Sequence, residues 1–319
     1  MRSVDIVIPA YNEAASLPAL ARRILAVMAP LPYRTRLLVV DDGSDDETAI
    51  VLAALAAEDP RIGAIHLSRN FGQQAALTAG LDEADADAVV MLDADLQKPP
   101  EMIPRFLEAW EGGAEVVHGV RNPSNVESLF KRWSSRAFYR LLNKLSDLPL
   151  VNDAPDFRLL DAKVVRAARN LREQDRLLRG LVAWAGFRQV SIPYDEAPRR
   201  HGNTKYSLMR MAALGLAGVL SFSRLPLRLA TIAGFAVSML AFTYGAYVGV
   251  MHEFYEAPIP GWTSLAILVS VLCGAQMMFL GLIGEYLGQV LMETKARPLY
   301  LIRERMIPPL QPATGNSAP

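Results

Sequence analysis

The stretch VVMLDADLQKPPE, residues 89–101, carries Asp93 and Asp95 one residue apart, followed by Gln97, Lys98 and two prolines. Two carboxylates at that spacing offer hard oxygen donors. Such donors suit Mg²⁺ or Mn²⁺, which keep several waters and share phosphate oxygens with a bound ligand. A D-x-D triplet alone is common; its weight here comes from the apolar run VVML before it, which has the composition of a buried strand. Acidic residues recur after other apolar runs, in PAYNE (9–13) and DDGSDDET (41–48), and HGVRN (118–122) ends a further one. If those strands run parallel, Glu13, Asp41, Asp42, Asp93 and Asp95 gather on one edge. There they raise one another's pKa unless a cation sits among them. Asp45 and Asp46 have a blander reading as a helix start: Ser44 with Glu47 fits a capping box, and acids favour the positive end of a helix dipole.

The elements that must position these residues are legible up to about residue 204. Apolar runs VDIVIPA, RLLVV, IGAIHLS, AVVML and EVVHGV alternate with helical stretches such as SLPALARRILAVMA and QQAALTAGLDEA. Continuous Val/Ile/Leu strands alternating with amphipathic helices predict an α/β domain with a mainly parallel sheet covered on both faces. Ligands of such sheets bind beyond the carboxyl ends of the strands.

The chain has 319 residues, with 33 Lys plus Arg against 33 Asp plus Glu, so no bulk charge points to nucleic acid. The single cysteine, Cys273, excludes a disulfide framework, and His66, His118, His201 and His252 have no zinc-ligand spacing. The start, MRSVDIVIPAY, reads as a first strand interrupted by Asp5 rather than a signal peptide.

Beyond residue 225 the pattern changes. Segments 226–251 and 261–284 are uncharged apart from Arg228 and apolar all round, and each is long enough to cross a bilayer. The link 252–260, HEFYEAPIP, has two glutamates and no lysine or arginine, whereas Arg224, Arg228, Lys295, Arg297, Arg303 and Arg305 flank the pair. The positive-inside rule then places both ends in the cytoplasm, with a short external hairpin and a cytoplasmic tail over 285–319 whose last residues have a disordered composition. Segment 205–225 is apolar with basic ends, as expected of a helix lying in the headgroup plane, although a linker helix packed on the domain fits as well. Gly245-x-x-x-Gly249 and Gly284-x-x-x-Gly288 are small-residue pairs that allow close helix approach.

Two basic features stand outside the carboxylate edge. Arg132, Arg136 and Arg140 recur every four residues and form one stripe on a helix, which a solvated face explains as well as phosphate capture does. The loop 198–207, with Arg199, Arg200 and Lys205 around Gly202, is the better phosphate candidate, with His201 a spectator within it.

PAYNE, VVDDGSDDET, SRNFGQQAALTAG, LDADLQKPPE, DFRLLD and RRHGNTKYSL occur in an order similar to that of family 2 glycosyltransferases. With the paired spans, residues 4 to about 295 resemble the bacterial polyprenyl-phosphate glycosyltransferases, the bactoprenol glucosyltransferase, aminoarabinose transferase and dolichol-phosphate mannose synthase group. The resemblance implies a GT-A nucleotide-diphospho-sugar transferase domain over 1–204 followed by two transmembrane helices. It implies that Pro9, Tyr11, Glu13 and Asp41 or Asp42 hold the nucleotide's base and ribose. Asp93 and Asp95 match the D-x-D, the second of which, with Gln97, would meet Mg²⁺ or Mn²⁺. Arg121, Arg199 and Lys205 match phosphate-binding positions, and Arg132 and Arg200 are further candidates for the acceptor phosphate. Asp156 of DFRLLD matches a position sometimes given the base role, although orienting sugar or acceptor suits a phosphate nucleophile better. Lys98 departs from the family pattern, where the position often carries an acidic, amide or histidine side chain, and Asn203-Thr204 stands where Glu-Ser is common.

The function implied is inverting transfer of one sugar, glucose from UDP-glucose in the first instance, to undecaprenyl phosphate. The enzyme would be a multi-pass protein of the bacterial inner membrane with its catalytic domain in the cytoplasm, a homo-oligomer and by resemblance a tetramer. UDP-aminoarabinose, UDP-N-acetylhexosamine and GDP-mannose are the other donors. A processive synthase is disfavoured because LFKRW (129–133) has Leu where a Q-x-x-R-W motif needs Gln, and a dehydrogenase because no G-x-G-x-x-G follows the first strand. An inactive membrane scaffold, or a partner in moving the lipid carrier, is the alternative from another class.

Overall fold

The computed structural model describes residues 1–122, 156–174, 176, 178–195, 225–255 and 261–310. The first half alternates as expected: β1 (Ser3–Ala10), α1 (Leu17–Met28), β2 (Arg34–Asp41), α2 (Thr48–Glu58), β3 (Ile62–Leu67), α3 (Gln73–Glu83), β4 (Ala88–Met91), a 3-10 turn (Pro100–Met102), α4 (Ile103–Glu111) and β5 (Val116–Arg121). The later elements are β6 (Arg158–Asp161), α5 (Ala162–Asn170), α6 (Leu178–Trp184), β7 (Gln189–Tyr194), α7 (Leu225–Tyr255), α8 (Trp262–Thr294) and β8 (Ile302–Met306).

The strands form one sheet in the order β7-β5-β6-β4-β1-β2-β3-β8. Neighbours β4, β1, β2 and β3 are parallel, as are β5 and β7. Every residue of β1, β3 and β4 is buried, the signature of a sheet covered on both faces. Asp5, the charge inside β1, is matched across the register by Arg36 of β2, with Oδ2 at 2.7 Å from Nη2. It also accepts from the Asp85 amide at 2.8 Å, so its burial is compensated.

Strand β6 is antiparallel to both neighbours, with Arg158 opposite Met91 of β4 and His118 of β5. Its direction matters for function. An antiparallel strand in a parallel sheet presents its amino-terminal end where its neighbours present their carboxyl ends, so Asp156 and Arg158 arrive at the ligand edge.

The expected tail over 285–319 is revised. Glu285 lies within α8, which runs on to Thr294, and β8 then pairs antiparallel with β3 as the outermost strand. The exposed backbone of β3 accounts for this: its edge groups find partners in the returning chain. Helix α7 likewise extends to Tyr255, into the expected link 252–260.

Helices α7 and α8 form a separate unit, both long and apolar enough to cross a membrane, with apolar windows at Ala230–Tyr247 and Val271–Thr294. Their apolar side chains face outward, Phe235, Leu240, Phe242 and Met278 each more than two-thirds exposed. Gly245, Gly284 and Gly288 have no neighbour within 4 Å of a would-be Cβ, whereas Gly234 meets Phe279 at 3.9 Å. Of these four described glycines, Gly234 alone has a side chain of the other helix beside it. The expected interfacial segment, 205–225, lies outside the described residues up to 224.

Candidate active site

The carboxyl ends of β1, β2 and β4 border a cleft of about 330 Å³ lined by Pro9, Tyr11, Glu13, Asp42, Asp93 and Asp95, together with Asn70, Gly72 and Gln73 at the start of α3.

The first wall is two loops stitched together. Asn12, in the left-handed region at φ 57°, donates its amide to Ser44 Oγ at 3.0 Å. Its side-chain oxygen accepts from the Asp45 amide at 2.9 Å. Tyr11 OH donates to Asp45 Oδ2 at 3.2 Å, and the Glu13 amide donates to Thr48 Oγ1 at 3.0 Å. This stitching replaces the expected Ser44–Glu47 capping box. Ser44 is engaged by the loop after β1, α2 begins at Thr48 without a side-chain cap from Glu47, and Asp46 accepts from the Thr48 amide at 2.9 Å.

Asp41 and Asp42, equivalent in the sequence, part company. The Asp41 carboxylate turns to His66 Nδ1 at 2.9 Å, its register partner on β3, and accepts from the Ser44 amide at 3.0 Å. Burial pushes its pKa up, but the hydrogen bonds from His66 and Ser44 outweigh it, leaving the group below the usual carboxylate range. Asp42 faces the cleft and accepts from the amides of Phe71 and Gly72 at 2.7 and 2.8 Å. Burial dominates there and, with the charge of Asp41, holds its pKa above the ordinary value despite those amides. Gly43 between them has φ 65°, and a Cβ there would stand 2.4 Å from the Arg69 carbonyl carbon. Only glycine allows the two loops to approach so closely.

The aspartate loop follows β4. Asp93 Oδ1 accepts from Gln73 Nε2 at 2.9 Å, and Oδ2 is ion-paired with the Lys98 ammonium. Burial first, then the charges of Asp95 and Asp156, keep the Asp93 pKa raised against the opposing pull of Lys98. Asp95 is exposed, and its two oxygens accept from the backbone amide and side-chain amide of Gln97 at 3.1 and 2.7 Å. Leu96, at φ 60°, makes the tight reversal that brings Gln97 back onto Asp95. The donors here are carboxylate and amide oxygens, the hard set that Mg²⁺ or Mn²⁺ takes. Among the described residues no three His, Cys, Asp or Glu side chains form a cage. Mg²⁺ is usually held by one or two carboxylates plus substrate phosphates, so the donor set fits such an ion.

Asp156 enters from β6. Its Oδ2 accepts from Gln74 Nε2 at 2.8 Å and its Oδ1 from Arg158 Nη2 at 3.0 Å. Gln74 is also held, since its Oε1 accepts from the Leu178 amide at 3.1 Å. Gln73 and Gln74, adjacent in the first turn of α3, thus hold one carboxylate each. Neither was singled out in the sequence, although two consecutive glutamines after an N-F-G turn were the available signal. Arg158, fully buried, was also missed because a single arginine in a short strand announces nothing.

Of the residues expected at the site, Pro9, Tyr11, Glu13, Asp42, Asp93 and Asp95 line one cleft, Gln97 bonds to Asp95 of that lining, and Asp156 bonds to Gln74, the chain neighbour of the lining residue Gln73. Asp41 is not among the lining residues. Arg121 is exposed at the end of β5. Arg132, Arg199, Arg200 and Lys205 lie outside the described residues.

Comparison with known proteins identifies relatives of the chain. The sequence model of Glycosyl transferase family 2 matches residues 5–168. An uncharacterized glycosyltransferase, YkcC, of Bacillus subtilis (strain 168) is 40% identical over 300 residues, 94% of this chain and 93% of its own. The bactoprenol glucosyl transferase of Shigella phage SfX is 34% identical over 302 residues, 95% of this chain and 99% of its own. Among solved structures, glucosyl-3-phosphoglycerate synthase from Mycobacterium tuberculosis, in complex with Mn²⁺ and UDP-glucose, superposes with a TM-score of 0.42 at 23% identity, over 69% of this chain and 78% of its own.

Proposed function

The chain belongs to glycosyl transferase family 2 and is a glycosyltransferase, and on that premise we propose that it moves a single sugar, glucose from UDP-glucose, onto undecaprenyl phosphate with inversion at the anomeric carbon. The observation that carries this reading is the cleft itself: Tyr11, Glu13, Asp42, Asp93 and Asp95 converge on one sheet edge of a chain that matches bactoprenol glucosyl transferases almost end to end.

In this reading Pro9, Tyr11, Glu13 and Asp42 receive the base and ribose of the donor. Asp95 and Gln97, with Asp93 beside them, would hold Mg²⁺ or Mn²⁺, which would relieve the charge that builds on the departing diphosphate. The acceptor phosphate is a monoester whose second pKa is near 6, so its oxygen is already ionised at neutral pH. As that oxygen bonds to the anomeric carbon, the bond from carbon to diphosphate breaks, and no proton has to be removed. Asp156 is therefore assigned to orientation of sugar hydroxyls or acceptor, its carboxylate fixed from both sides by Gln74 and Arg158. Arg199 and Lys205 are proposed for the donor phosphates, and Arg121, Arg132 and Arg200 for the acceptor phosphate. Helices α7 and α8 are read as membrane spans with both ends cytoplasmic, so that transfer takes place at the inner face of the bacterial plasma membrane.

Detergent-purified protein, undecaprenyl phosphate and a panel of radiolabelled UDP- and GDP-sugars provide the test, with Mg²⁺ and with chelator. The expected result is a labelled lipid from UDP-glucose that disappears on chelation. A labelled lipid from another donor would correct the sugar. No lipid product from folded protein that still binds nucleotide would overturn the reading.

A further inference from the structure

Lys98 lies inside the aspartate loop and is 4% exposed, yet lysine is almost never buried so deeply without a partner. Its partner is Asp93 Oδ2, and Gln73 donates to the other oxygen of the same carboxylate at 2.9 Å. Both oxygens of Asp93 are thus engaged by donors of the chain. Asp95, two residues on, is exposed and engaged by Gln97 of its own loop.

The charges of this loop differ from those of a bare carboxylate pair. Asp93 and Asp95 alone present two negative charges to an entering cation; with Lys98 among them the sum is one. A compact ammonium is a point charge at a fixed place. Buried beside a carboxylate, it is screened much less by salt than a surface lysine is.

We infer that Lys98 is a resident cation of the donor site that weakens binding of a free divalent ion, so that metal binds tightly only together with a nucleoside diphosphate, whose oxygens supply the missing negative charge. The inference rests on the donor-site reading above and specifies how that site is loaded. Metal and nucleotide then bind as a coupled pair, each raising the other's affinity by the same factor. The competing account, in which Lys98 merely ties the loop in shape, has the opposite sign: loosening the loop would weaken metal binding.

The test is a titration of the full chain in detergent with Mn²⁺, read by the electron paramagnetic resonance of the free aqueous ion, with and without UDP. Lys98→Met keeps the unbranched stem and removes the charge. It is expected to bind Mn²⁺ at least about tenfold more tightly than the unsubstituted chain without UDP, as removal of a nearby like charge requires. UDP should then raise Mn²⁺ affinity by a smaller factor in the variant. Asp93→Asn together with Lys98→Met returns the loop to one net negative charge and is expected to restore affinity close to the original.

Equal or weaker Mn²⁺ binding by a Lys98→Met chain with an unchanged thermal transition would overturn the inference. If Lys98→Met does not fold, Lys98→Gln takes its place, and failure of both to fold would establish the structural account instead. A failure of the transferase reading would be seen separately, as absence of lipid product from a chain whose Mn²⁺ and UDP binding is intact.

Discussion

Gln74 donates its Nε2 hydrogen to Asp156 Oδ2 at 2.8 Å, so the first turn of α3 holds the carboxylate just ahead of β6. The same side chain accepts from the Leu178 amide at 3.1 Å and so joins α3, β6 and α6 through one amide. Replacing it by leucine leaves a partly buried carboxylate and a backbone N–H short of a partner, which costs about 1–3 kcal/mol each. Gln74→Leu is expected to lower kcat about 10–100-fold through the misplaced Asp156, with donor KM little changed. Gln74→Glu should be slower still, since it sets carboxylate against carboxylate. Steady-state kinetics on both variants, with thermal unfolding as the folding control, check this.

Asp95 and Asp156 are separable by rate. If the acceptor arrives ionised, no base is needed, and Asp156→Asn retains one side-chain oxygen able to orient a ligand. Asp95→Asn removes a charge from the proposed metal site and is expected to cost about 10²–10³-fold in kcat, the range seen when one electrostatic stabiliser of a transition state is lost. Asp156→Asn should cost less. The reverse order, measured at saturating donor and acceptor, would return the base role to Asp156.

His118 provides a pH signature of folding. It is buried on β5 opposite Arg158, with Nε2 2.8 Å from Gln189 Oε1. Burial first, and then the charge of Arg158, push its pKa down to about 4, against the Gln189 bond. The unfolded chain takes up this proton near pH 6.5 and the folded chain only near pH 4, so between those values the unfolded state binds more protons and stability falls as pH is lowered. The loss from pH 7 to pH 5 should be about 2 kcal/mol from this group. His118→Gln should shrink that drop by the same amount, measured as the change in unfolding midpoint between the two pH values.

The sequence and the structure agree most closely where local pattern and tertiary context point the same way. The Val/Ile/Leu runs of β1 to β5 have the composition of doubly covered strands, and the acids after them fall on one edge because parallel strands share a direction. Strand β6 was not legible: RLLD is too short to carry a period, and its antiparallel insertion between β4 and β5 is decided by pairing partners distant in sequence. Asp41 and Asp42 could not be told apart for the same kind of reason. What divides them is His66 on the next strand and the Phe71–Gly72 turn, both of which meet Asp41 and Asp42 only through the fold. Lys98 was legible as an oddity, but not as the partner of Asp93.

Strand β8 makes the end of the chain part of the catalytic fold. It covers the edge of β3, and around it Tyr300 OH donates to Asp82 Oδ2 at 2.7 Å, Arg305 pairs with Glu83 at 3.0 Å, and Arg36 donates to the Pro308 carbonyl at 3.1 Å. Tyr300, Ile302 and Ile307 pack against the core cluster that includes Val40, Ile65 and Leu77. Deleting residues 298–319 would expose both that apolar surface and a row of unpaired β3 backbone groups, a template for association with other chains. The truncated chain is expected to unfold at lower temperature and to aggregate on heating. Tyr300→Phe in the full chain isolates one link and should cost about 1 kcal/mol, because Asp82 keeps Arg172 at 2.8 Å as a second partner. Calorimetry of both chains in the same detergent decides the matter: a truncated chain with an unchanged transition would show that β3 is stable as an edge and that β8 contributes nothing to the catalytic domain.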